Sequence, residues 1–365
     1  MSVFESPLLL SDEAILKMGI KPHDVEVFRR RQYQFSFGIH TWYPALAPHT
    51  FFTSFFELSF HEAKAITACH HHRPSESTYL TNIKTKLAEK LKLFPNGAFV
   101  KLDTRSPKDV PVYAFQNEGV RKLIDTELGK LDRDALQDDD ETTAAFVRAT
   151  NKYMKVTTAE EALNLLVASD RVSEDLDRAL EYGETHFTSK IVLREWIDEV
   201  PNHPEMEFRG FVHKNKLNAL TQYFSFVRFP ALVGNKSKTV ARIINFFESI
   251  KDLITHESYV IDFFVLESRV MIIELNPFHN GAGAGLFSWK NDRQLFMEGP
   301  FEFRITDTPA AERVPTDVLP LFWHKYIQEK RKQLLDKNGY QHMIPIFLLA
   351  TYGFWRISAT LLKNS

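Results

Sequence analysis

Two short apolar runs constrain this chain most: Val260-Ile261-Asp262-Phe263-Phe264-Val265 and Ile272-Ile273-Glu274-Leu275-Asn276-Pro277. Each places a carboxylate inside what otherwise reads as a buried strand. An unpaired buried carboxylate is costly, so a cation must compensate it. Tyr259–Leu266 and Val270–Leu275 read as a hairpin joined by Glu267-Ser268-Arg269. Glu274 and Asn276 are two apart and so leave one strand face together. A three-residue turn sets Asp262 across from that pair. Two carboxylates and an amide oxygen form a hard donor set that suits Mg²⁺. The competing reading is that Asp262 and Glu274 form salt bridges to Arg209 or to a lysine of the neighbouring hairpin. Both readings stay open here.

That neighbouring hairpin is Glu207–Val212, alternating polar and apolar, and Leu217–Phe226, with a turn at 213–216. Lys190-Ile191-Val192-Leu193 and Ala98-Phe99-Val100-Lys101-Leu102 read as buried strands, the latter ended by the turn-prone Ser106-Pro107-Lys108-Asp109. Helical spacing marks 79–93, 240–254 and 319–337, the last capped by Asn338-Gly339. Thr157-Thr158-Ala159-Glu160 reads as a capping box opening another helix. The stretch 38–60 reads as aromatic and extended, and 131–143, with Asp138-Asp139-Asp140-Glu141, as a solvated loop.

Net charge bounds the partners. The formal value is -2, so no overall charge drives binding to nucleic acid or to acidic membranes. Cys69 is the single cysteine and cannot make an internal disulfide. Residues 1–17 carry Glu5, Asp12 and Glu13 with no basic segment before the apolar run, unlike a secretory signal. The expected location is cytoplasmic. Consecutive His70-His71-His72 cannot easily converge on one ion and read as exposed loop.

Blocks from about Trp42 to about Ile305 resemble, in order, those of the cell division cycle protein 123 family, a divergent ATP-grasp branch. They are Trp42-Tyr43-Pro44, Lys101-Leu102 with Ser106-Pro107-Lys108-Asp109, Ala168-Ser169-Asp170-Arg171-Val172 with Glu174-Asp175-Leu176, and Leu193-Arg194-Glu195-Trp196. Glu207-Phe208-Arg209-Gly210-Phe211-Val212, Leu220-Thr221-Gln222, Tyr259–Asp262, Glu274–Phe278 and Leu286-Phe287-Ser288-Trp289 follow. Where the family commonly has Asp, this chain has Glu274, the usual residue of other ATP-grasp proteins.

The resemblance implies an α+β, ATP-grasp-like fold: antiparallel sheets with flanking helices enclosing a nucleotide cleft. It implies an N-terminal subdomain over 1–190, a C-terminal subdomain over 191–310 carrying the metal site, and a helical and apolar tail over 311–365. ATP and Mg²⁺ are the implied ligands, with Asp262, Glu274 and Asn276 on the metal. Lys101 is expected on the phosphates, a point charge suited to that task. Leu193, Arg194, Glu195 and Trp196 are expected at the adenine edge, and Glu207 and Arg209 on the phosphate side. Gln222 is read either beside the metal or in a plain hydrogen bond, and Ser106 and Asp109 as loop residues near the nucleotide. The Gly-rich run Gly281-Ala282-Gly283-Ala284-Gly285 lacks the strand-to-helix context of a P-loop.

The implied function is that of an assembly chaperone binding the gamma subunit of translation initiation factor 2. The alternative is an active ATP-grasp ligase or phosphoryl-transfer enzyme on another substrate. Residues 343–362 are apolar, interrupted by Pro345, Gly353 and Arg356, and marginal for the roughly 20 residues of a bilayer span. A helix packed on the domain, a peripheral membrane contact and a partner-docking segment all stay open for them.

Overall fold

The computed structural model describes residues 10–74, 77–312 and 319–336. Their strands fall in two sheets. The first holds β1 (Thr53–Glu57), β2 (Ala98–Leu102), β3 (Lys155–Val156) and β4 (Lys190–Glu195) in the order β1-β4-β2-β3, antiparallel throughout. The second holds β5 (Glu207–His213), β6 (Lys216–Gln222), β7 (Tyr259–Val265), β8 (Val270–Pro277) and β9 (Glu302–Arg304) in the order β8-β7-β5-β6-β9. Only β9 runs parallel to its neighbour, β6. Because β4 lies between β1 and β2, the first sheet extends to Glu195, past the boundary expected at 190/191.

Local chemistry sets the hairpins. Lys214 and Asn215 both take positive φ, at 50° and 59°, the two-residue turn whose twist matches antiparallel strands. In the β7–β8 hairpin Val265 faces Val270, so the loop is 266–269, one residue longer than the expected turn. A bulge between Asp262 and Phe263 then shifts the count, and Asp262 faces Glu274 after all.

Apolar alternation decides which face each sheet buries. Phe208, Val212, Ile261, Phe263 and Ile272 pack with Ile243, Phe247 and Ile250 of the helix Pro230–Ile250. That helix starts ten residues before the expected 240, with Pro230 in its first turn, where a missing N–H costs nothing. On the first sheet, Val100, Leu102, Ile191 and Leu193 pack with Ile83, Leu87, Leu163 and Leu166. Each such fully buried side chain contributes roughly 1.5–3 kcal/mol.

Three local expectations need correction. The stretch 38–60 is not all extended: Ile39–Leu46 is a helix despite Pro44, because Ile39, Trp42 and Leu46 reach the core together. The acidic run is a helix start, with Asp138 accepting from Asp140 N and the acids of the first turn facing the positive helix end. The capping box is Thr158 with Glu161, one residue later than read.

A helix over 321–336 packs through Trp323 and Ile327 onto Glu118–Leu128 and Asp139–Tyr153. Asn338-Gly339 and the apolar segment 343–362 lie outside the described residues. Among the described residues no helix is long and apolar enough to cross a membrane.

Candidate functional site

The inner faces of the two sheets enclose a cleft of about 770 Å³, counting its open mouth. One end is apolar. Phe99 of β2, Met154, Trp196, Ile197, Val200 and Pro201 line it, with Asn151 and Glu195 among them. The other end is charged. β2 contributes Lys101, β4 Arg194, β5 Glu207 and β8 Glu274, while the loop after β2 brings in Ser106 and Lys108.

The β5–β7–β8 register builds the acid row. Arg209 lies opposite Asp262, and Asp262 opposite Glu274, so the three leave one sheet face. Arg209 holds Asp262 through Nε at 2.7 Å and Nη2 at 2.8 Å, a bidentate pair. Asn276 Nδ2 is 3.4 Å from Asp262 Oδ2. Across the cleft, buried Lys101 donates to Glu274 and Lys108 approaches Glu207 at 3.6 Å. The Arg209 salt bridge of the competing reading is therefore present, while the lysine on Glu274 comes from the first sheet and not from the neighbouring hairpin, and each carboxylate faces a protein cation.

Electrostatics follow the same map. Burial pushes the Glu274 carboxyl up, but Lys101 beside it, with Lys108 and Arg194, brings it down to about 2. Burial raises Glu207 against the pull of Lys108. Lys108 and Arg209 are raised, the surrounding acids outweighing their own burial. Arg194 is the exception. Burial lowers it to about 10, and Glu274, Tyr43 and Glu195 only partly offset this. Its Nη1 donates to Ile273 O at 2.6 Å and its Nη2 to Thr50 Oγ1 at 2.6 Å, while its Nε has no hydrogen-bond partner. Lys101, Lys108, Arg194 and Arg209 meet Glu195, Glu207, Asp262 and Glu274, so the charges of the cleft and the acid row balance, four against four.

Other expected site residues are divided. Glu195 accepts from Phe52 N at 2.9 Å, and Trp196 donates to Asp198 at 2.7 Å, both at the apolar end. Leu193 points away, into the core under the first sheet. Asp109 does not line the cleft: it accepts from Ser169 Oγ at 2.6 Å and Arg171 N at 3.3 Å, anchoring the helix Asp170–Leu180. Gln222 is also removed from it. Facing Phe208 across the ladder, it turns to the helix side, where it donates to Phe224 O and Val227 O and accepts from Thr306 N. The plain hydrogen-bonding role is the observed one.

The sequence reading missed Lys108, Tyr223, Asn151 and Met154. Lys108 stood inside the Ser-Pro-Lys-Asp block, and Asn151 and Met154 are three apart on one helix face. Tyr223 takes Lys108 and Arg209 over its ring at 5.1 and 5.0 Å.

Two carboxylates and an amide are the hard donor types that suit a magnesium ion, but here Arg209 holds both oxygens of Asp262, Lys101 holds Glu274 and Asn276 turns its Nδ2 to Asp262. Asp262 and Glu274 are adjacent in register, with the Asn276 amide next to them. Among the described residues no three His, Cys, Asp or Glu side chains are gathered to hold a metal by themselves.

The Gly-rich loop closes over this end. Arg209 Nη1 donates to Gly283 O at 3.0 Å, and Leu286 N donates to Thr221 Oγ1 at 3.3 Å. Gly285 has φ +60°, and a Cβ there would meet Thr221 Cγ2 at 2.5 Å.

A family model described as D123 matches residues 139–344, more than half of the chain. The translation initiation factor eIF2 assembly protein of Schizosaccharomyces pombe is 29% identical over 163 residues, covering 41% of this chain and 48% of that protein. Its namesake in Xenopus laevis is 26% identical over 164 residues, covering 43% and 47%. Cell division cycle protein 123 of Yarrowia lipolytica is 31% identical over 145 residues, covering 37% of each. The chain spans about half the length, or less, of these curated relatives. The solved structure of Cdc123 from Schizosaccharomyces pombe superposes with a TM-score of 0.55 at 21% identity, covering 75% of this chain and 97% of that one. This likeness shows the fold: α+β, ATP-grasp-like, with antiparallel sheets and flanking helices, as expected from the sequence.

Proposed function

Because the chain belongs to the D123 family, we propose that it binds ATP with Mg²⁺ in the cleft between its sheets and acts as an assembly factor for translation initiation factor 2. The observation that carries the nucleotide reading is a cleft between the sheets lined by the apolar Phe99, Met154, Trp196 and Ile197 together with the cations Lys101, Lys108 and Arg194. An apolar slot suits a base, and fixed cations suit a polyphosphate. The relatives' names carry the assembly reading, and the gamma subunit is the partner the resemblance implies.

Ligand binding at the charged end is an exchange of partners. Lys101, Lys108 and Arg209, now on carboxylates, would turn to the phosphate oxygens. Asp262 and Glu274, with Asn276, would then be the residues to hold a magnesium ion, which would supply neutralisation of phosphate charge. Arg194 keeps the sheets tied through Ile273 O and offers its free Nε to the same charge. Phe99 and Trp196 exclude water from the base. Ordering of the cleft favours the partner-binding state only if ATP prefers that state.

Calorimetric titration of ATP with and without Mg²⁺ tests the reading. Mg²⁺ should tighten ATP binding to the wild type by tenfold or more and have no effect on Glu274→Ala. ATP binding that ignores Mg²⁺ in both would remove the metal assignment. For the partner, pull-down of the gamma subunit by wild type but less by Asp262→Ala is expected. No retention by either would end the assembly reading. A second reading, an active ATP-grasp enzyme, is favoured by the acid row of Asp262 and Glu274.

A further inference from the structure

His40 and Asp103 form a dyad that the nucleotide reading does not use. Asp103 is buried, and its Oδ2 lies 2.5 Å from His40 Nδ1 while its Oδ1 accepts from His40 N at 3.2 Å. Gly38 lets the carboxylate in, since a Cβ there would stand 2.4 Å from Asp103 Oδ2. A carboxylate on Nδ1 fixes the ring and its tautomer and leaves Nε2 as the basic nitrogen. Among the described residues Nε2 has no protein partner, and the side chain is 32% exposed.

Its place matters. Phe99, Lys101 and Asp103 follow one another at steps of two along β2 and just beyond its end, where Asp103 N still donates to Lys190 O at 2.9 Å. Phe99 lines the apolar end and Lys101 meets the acid row. The dyad lies about 7 Å further along, on the side away from the base slot. The segment just before the dyad's helix also reaches the end of β8. Tyr33, packed edge-to-face on Phe37 at 5.2 Å, hydrogen-bonds the backbone of Phe278, two residues past Asn276. Phe99, Lys101 and Asp103 thus succeed one another along β2 and just past its end.

We propose that His40 is the proton acceptor of a second substrate site, which takes a hydroxyl-bearing molecule and phosphorylates it from bound nucleoside triphosphate. The acceptor oxygen bonds to the terminal phosphorus, and the bond from that phosphorus to its bridging oxygen breaks. Nucleoside diphosphate leaves, and the hydroxyl proton passes to His40 Nε2. Asp103 stabilises the resulting imidazolium, as in other carboxylate–histidine pairs. A carboxylate acceptor has no proton to give, so the dyad selects for a protic one. The inference rests on the nucleotide reading above.

The test uses water as the simplest hydroxyl acceptor. ADP release from Mg-ATP is followed for wild type, His40→Gln, Asp103→Asn and His40→Ala, with ATP-dependent thermal shift as a separate readout of binding. All four should keep the thermal shift. ADP release should fall about 100-fold in His40→Gln, fall in Asp103→Asn, and return in His40→Ala on adding imidazole. Imidazole rescue separates proton transfer from helix capping by Asp103. Wild type that binds ATP without releasing ADP, His40→Gln at the wild-type rate, or folded His40→Ala deaf to imidazole would each overturn the proposal. Wild type with no thermal shift would instead overturn the nucleotide reading beneath it.

Discussion

Arg209 and Asp262 face each other across β5 and β7 and are joined by two hydrogen bonds, at 2.7 and 2.8 Å. Both side chains are largely buried, so neither ion can fall back on water if the other is removed. Asp262→Ala should therefore cost about 3–5 kcal/mol in urea unfolding, the penalty of an orphaned buried charge. Replacing both by apolar residues of similar size should cost much less. Equal losses in the single and double variants would show that the pair is not the cause.

Gly285 makes a second, independent prediction. Gly285→Ala is strained by φ +60° and by the approach to Thr221 Cγ2. A loss of about 1–3 kcal/mol is expected. Thr221→Ser removes that methyl and should recover part of it, because the steric component goes and the backbone strain stays. A double-mutant cycle measures the coupling; strict additivity would contradict it.

Asp140 holds two distant segments, its carboxylate accepting from Arg228 N and Ala310 N, each at 2.8 Å. Asp140→Ala should lower stability by about 1–3 kcal/mol, through unsatisfied amides. Hydrogen exchange should quicken at 228 and 310 specifically. Unchanged protection at both would refute the tie.

His256 gives the pH dependence. It stacks on Phe37 at 3.9 Å and is buried, which lowers its pKa from 6.5. The folded state holds it neutral while the unfolded chain takes up a proton below 6.5. Its stabilising effect is thus complete above that pH and is lost as pH falls toward the depressed folded value. His279 is lowered by burial too and adds in the same sense. His256→Phe should flatten the fall of Tm between neutral pH and about pH 5 without abolishing it. An unaltered slope would assign the effect elsewhere.

The sequence made the acid row legible and left its partners hidden. Alternation put Glu274 and Asn276 on one face, but Lys101, the partner of Glu274, is 173 residues away, beyond any local pattern. The pairing of Asp262 with Glu274 was expected from a three-residue turn. It arises instead from a four-residue loop and a bulge whose offsets cancel. For Gln222 the sequence left two roles open, and the ladder decides for the plain hydrogen bond, since its neighbour Thr221 is the residue on the cleft face. The helix Ile39–Leu46 was lost because Pro44 and the aromatic run outweighed a burial that only the tertiary fold supplies.

The bulged residue itself, Ile273, carries a consequence of its own. It is the extra member of β8, so a chain lacking it would still seat Glu274 against Asp262. What would disappear is the carbonyl that Arg194 grips from the other sheet. The chemistry of the acids and the distance between the two walls are thereby entrusted to different residues. Each can drift over evolution without dragging the other with it.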